Sequence, residues 1–156
     1  MTAELEQWFP RLRGTKYRIT SPAQPDYNCI AWAAGDASRW WEPDEFGLYY
    51  WPEAIPRRYT LDAFTQAFRM LGFEVCDNSV VEARWEKVAI FAGADGRPTH
   101  VARQLPDGTW TSKLGKLEDI KHPDIQDVSG EHYGEPVMIL RRRIVETNPF
   151  PVEANS

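Results

Sequence analysis

The chain is poor in the residues that staple or metallate a small protein. It has two cysteines, Cys29 and Cys76, and three histidines in 156 residues. There is no CxxC pair and no metal-ligand spacing, which argues against a disulfide framework and a zinc site and points to a reducing compartment. No apolar run approaches the ~20 residues of a membrane span. The opening "MTAELEQWFPRLRG" lacks the apolar core of a signal peptide. Phosphate-binding and dinucleotide glycine motifs are missing. Excess positive charge is missing too: the formal net charge is -5, which disfavours a nucleic-acid surface. These absences lead us to expect a cytoplasmic protein with no cofactor, no nucleic-acid partner and no membrane partner.

What is present suits one soluble domain, expected over residues 1–143, with a frayed polar tail over 144–156. Apolar residues make up 42% and charged residues 26%, enough for a core without staples. "SPAQPD" is a loop, and Asn28 after it is a preferred helix N-cap. The cap makes Cys29 the first residue of a short helix, "CIAWAA". That helix is apolar all round and so buried, with Gly35 as its C-cap. Half of residues 40–51 are aromatic, and nearby prolines predict an irregular, ordered segment. Thr60 caps a second clear helix, "LDAFTQAFRMLG", whose apolar stripe includes Phe64, Ala67 and Phe68. Strands are expected at 73–76, 87–92, 99–105, 109–114 and 135–143. Helices first and a meandering antiparallel sheet afterwards define an α+β fold, with helices on one face.

Two residues carry candidate chemistry. A helix N-terminus lowers a thiol pKa, and the thiolate is the nucleophilic form, so Cys29 is well placed to be a nucleophile. His100 opens the strand "THVARQL". Strands hold an imidazole more rigidly than loops, so His100 is preferred as the base over His122 in "KHPD" and His132 in "EHYG". The turn after this strand decides what His100 faces. A three-residue loop Pro106-Asp107-Gly108 makes Ser112 its same-face diagonal neighbour. A two-residue loop puts Lys113 and Gly115 on that face instead.

The blocks "YNCIAWA" and "PTHVARQL", in that order, resemble papain-like thiol hydrolases, above all the compact NlpC-type branch. They are also similar to bacterial domains of unknown function that share these blocks and "WTSKLG". The likeness covers roughly residues 26–115. It implies a papain-like fold with the cysteine on a buried helix against an antiparallel sheet. It implies a thiol-dependent hydrolase or acyl transferase acting on an amide bond of a peptide, protein or other amide-containing substrate. Cys29 is then the nucleophile and His100 the base. The resembled family has His, Asn, Gln or an acid in third place, whereas Ser112 stands here; Glu118, Asp119 and His122 are other acceptors nearby. The oxyanion hole falls to the Cys29 N–H and a polar neighbour, with Gln24 and Tyr27 as candidates. Trp40, Trp41, Tyr50 and Trp51 either wall a substrate cleft or cap the core. The alternative reading is an inert papain-like fold that binds a protein or glycan through residues 40–51.

Overall fold

The structure is a computed structural model that describes residues 2–22, 26–114 and 118–144. Gln24 and the expected tail beyond Ile144 lie outside the described residues. A helix α1 (Thr2–Trp8) runs up to a 3-10 turn (Pro10–Leu12), broken where Pro10 denies the helix an N–H. Then come β1 (Arg18–Ser21), α2 (Cys29–Ala34), α3 (Leu61–Met70), β2 (Glu74–Cys76), β3 (Trp85–Ala92), β4 (Pro98–Gln104), β5 (Trp110–Lys113), β6 (Asp119–His122) and β7 (Glu135–Arg143). The strands form one antiparallel sheet in the order β1-β6-β5-β4-β3-β7-β2.

The five strands expected from the sequence are present within a residue or two. β1 and β6 were not expected. The sheet is also covered on both faces rather than one. Val88, Ile90, Val101 and Leu140 meet α2 and α3. Ala89, Phe91, Ala102 and Ile120 meet Leu5, Phe9 and Leu12 of the N-terminal segment. The reason is legible in "KVAIFA": a strand apolar at every position needs cover on both sides.

Asn28 ties α2 to the aromatic segment. Its Oδ1 accepts from Ala31 N at 3.1 Å and from Trp41 N at 3.1 Å, while its Nδ2 donates to Trp41 O at 2.6 Å. Gly35 closes the helix in the left-handed conformation, φ 86°, which favours glycine. Within the aromatic segment Trp41 and Trp51 are buried members of the core around α2 and α3, and Tyr50 packs against it. They cap the core; they do not wall a cleft.

Asn28→Ala removes both a cap and the donor to a buried carbonyl. It is expected to cost about 2–4 kcal/mol, the sum of a cap and an orphaned acceptor. Urea unfolding of the two proteins checks this.

Candidate active site

The loop between β4 and β5 has three residues. Leu105 N donates to Thr109 O at 2.7 Å, and Arg103 pairs with Thr111 and Gln104 with Trp110. This register puts Ser112 on the face of His100 and Lys113 on the other. Strand pairing between β4 and β5 ends at Arg103–Thr111. Towards Val101, backbone N–H groups of Val101, Ile30 and Cys29 itself lie against the Cys29 sulfur. The start of α2 is thereby set against the β4 backbone one residue from His100.

His100 and Ser112 are joined side chain to side chain, Nε2 to Oγ at 3.0 Å. Ser112 Oγ also lies 2.8 Å from His122 Nε2. The other nitrogen of His122, Nδ1, is 2.9 Å from the Asp124 carbonyl oxygen. All three side chains are fully buried. A carbonyl only accepts, so His122 carries its proton on Nδ1 and its Nε2 is an acceptor. Ser112 therefore donates to His122 and accepts from His100. The proton of His100 sits on Nε2, and Nδ1 keeps its lone pair. That nitrogen is buried and has no hydrogen-bond partner among the described residues, so thiol and imidazole are not hydrogen-bonded to each other here.

Other groups fix the ring. Tyr133 stacks flat on His100, with centroids 4.2 Å apart and planes 5° apart, and Phe91 meets it edge-on at 5.3 Å. Tyr133 is brought there by the turn at Gly130–Gly134. A Cβ on Gly134 would stand 2.0 Å from Ala92 O, and its φ is +77°, so only glycine fits.

A cavity of about 320 Å³ is lined by Cys29 and His100 together with Asn28, Trp40, Glu42, Tyr59, His132 and Tyr133. A larger depression of about 600 Å³, lined by Glu4, Trp8 and Glu131 among others, shares only His132 with it. Of the aromatic candidates, Trp40 alone lines the cavity of Cys29 and His100. Tyr27 does not line it: its hydroxyl donates to Asp119 Oδ2 at 2.7 Å, and its ring stacks on Trp32. Asp119 and Lys113 form a buried pair at 3.9 Å on the sheet face opposite His100. Burial pushes the carboxyl up and the ammonium down.

The electrostatics correct one expectation. Burial pushes the Cys29 thiol up to about 11, against the downward pull of the three N–H groups, and the nearby Glu42 carboxylate adds to the rise. Burial, with His122 and His132 nearby, holds His100 well below the usual histidine range. The thiol and imidazole are therefore both neutral near pH 7. A six-residue helix does not outweigh the desolvation of a thiol only 8% exposed.

His122, which the sequence offers with Glu118 and Asp119 as another acceptor for His100, meets Ser112 instead. Its segment reads as a loop because of Pro123. The overlooked signal is "DIQD": Asp124 and Asp127 cap the following 3-10 turn reciprocally, and this fixes the carbonyl that orients His122.

Residues 18–141 match the model of a domain of unknown function, DUF7689, and the chain belongs to that family. No curated protein and no solved structure matches the chain.

Two outcomes follow from the buried histidines. Long-range ¹⁵N–¹H NMR at pH 7 should show His100 protonated on Nε2 and His122 on Nδ1. Burial lowers His122 from 6.5 to about 4. The unfolded chain thus binds more protons between those values, and stability falls as pH is lowered through them. The loss from His122 should be on the order of 3 kcal/mol, read by denaturant titrations at pH 7 and pH 4.

Proposed function

We propose that this protein is a thiol-dependent hydrolase or acyl transferase acting on an amide bond, built on a papain-like fold. The observation that carries the reading is the buried, unpartnered Nδ1 of His100 in a ring bordering the same cavity as Cys29. An imidazole fixed in one tautomer, lone pair free, is what a general base requires. Short-range order also supports it: a cysteine at a helix start, then a histidine on a neighbouring strand, with a third polar residue on the next.

In the reaction, Cys29 Sγ forms a bond to the substrate carbonyl carbon as its proton passes to His100 Nδ1. The tetrahedral oxyanion takes backbone N–H donors at the start of α2. The C–N bond breaks as Nδ1 returns the proton to the leaving amine, leaving a thioester. Water, or an amine in a transferase, then attacks the thioester. It gives its proton to Nδ1, and the thiol leaves reprotonated. Ser112 and His122 are positioning residues that hold the tautomer. Because the resting pair is neutral, proton transfer accompanies attack and does not precede it.

The reading as a binding module through residues 40–51 loses support, since Trp41 and Trp51 are core residues.

p-Nitrophenyl acetate tests the proposal. The expected result is one acetyl group per chain on Cys29, located by peptide mass spectrometry and abolished in Cys29→Ala. His100→Ala should slow acylation about 10²–10⁴-fold. The wild-type rate should stay flat as pH falls through 6.5, because His100 remains unprotonated well below that value. Acetylation of Cys76 in preference to Cys29, or no dependence on His100, overturns the reading.

A further inference from the structure

Among the described residues lining the cavity of Cys29 and His100, Glu42 is the one acidic side chain, and no lysine or arginine is present. Its carboxylate is held by two neutral donors: Trp40 Nε1 reaches Oε1 at 2.9 Å, and the Tyr59 hydroxyl donates to Oε2. Among the described residues it makes no ion pair. Arg57 bonds the Glu42 backbone oxygen and gives its charge to Asp44 at 3.0 Å. Arg97 lies over the Tyr59 ring at 5.1 Å, and with Arg57, Arg58 and Glu42 itself it lines the neighbouring depression; none of these arginines lines the cavity of Cys29 and His100. A carboxylate anchored by neutral groups at a cavity wall still offers lone pairs.

We propose that Glu42 is the recognition carboxylate of this cavity and takes a substrate ammonium group beside the Cys29 thiol. The inference rests on the hydrolase reading for the word substrate, but the binding chemistry does not. Each oxygen already accepts one hydrogen bond, so the two-pronged fit of a guanidinium is blunted, while a compact ammonium needs only the remaining lone pairs.

The test uses two methanethiosulfonates of similar size, one carrying 2-aminoethyl and one 2-sulfonatoethyl. Each forms a mixed disulfide with a cysteine and releases methanesulfinate, and neither requires catalysis. Rates are read at each cysteine by mass spectrometry, with Cys76 as the internal control. The cationic-to-anionic rate ratio should be about tenfold or more higher at Cys29 than at Cys76, and it should fall to the Cys76 value in Glu42→Gln. In the unmodified protein, N-acetyl-lysine amide should slow the neutral reagent iodoacetamide at Cys29, while its Nε-acetylated form should not. Equal ratios at both cysteines, or no protection by the ammonium compound, overturn the proposal. Acetylation of Cys29 by a neutral ester without charge preference overturns this inference alone. Charge preference without acetylation supports the cation site and removes the hydrolase.

Discussion

The hydrogen bond from His122 Nδ1 to the Asp124 carbonyl sets the direction of everything above it. It is 2.9 Å long and ends on an atom that only accepts. Its acceptor is held in place by the reciprocal caps of Asp124 and Asp127, with Asp127 Oδ2 accepting from Asp124 N at 2.9 Å. From that fixed end the order of donors runs through Ser112 to His100 without an alternative. Burial enforces it: each member that lost its partner would keep an unsatisfied polar atom, at about 1–3 kcal/mol. Among the described residues, the nitrogen of this relay left without a partner is the one at its top, His100 Nδ1.

Beside that imidazole two opposed effects act on Cys29. The first-turn position and the N–H of Val101 favour a thiolate, and burial disfavours it. A helix terminus contributes about 0.3–1 kcal/mol near the surface. Moving the thiol from 9.0 to about 11 represents about 3 kcal/mol the other way. Burial wins, by a margin that a dipole from six residues cannot recover. The motif of a capped cysteine at a helix start therefore locates a thiol without telling its protonation state.

Local rules were legible in the sequence wherever one residue determines a backbone geometry. Asn28 and Gly35 bound α2, and Thr60 starts α3. The "PDG" turn fixes the register that selects Ser112 over Lys113. What was illegible depends on contacts between distant segments. β6 has only "DIKH" to show for itself, and it becomes a strand because β1 and β5 pair with both of its edges. Trp41 and Trp51 differ from Trp40 in burial and not in local sequence. Asn28 draws the Trp41 backbone onto α2, while Trp51 packs on Phe64 and its Nε1 donates to Pro56 O at 3.0 Å.

A serine followed by a second histidine is a physically distinct solution from a carboxylate in third place. A carboxylate at position 112 would stand at a fully buried site, with no described cation to offset its desolvation. Ser112 hands on the orientation of a hydrogen bond and no charge. The relay therefore aligns His100 without raising its basicity, and the imidazole stays well below 6.5 while the thiol stands near 11. Forming the thiolate–imidazolium pair is then uphill, because burial disfavours both charged forms. In this arrangement geometry is prepared in advance and charge is not, so any chemistry at Cys29 has to draw the missing electrostatic stabilisation from the bound ligand.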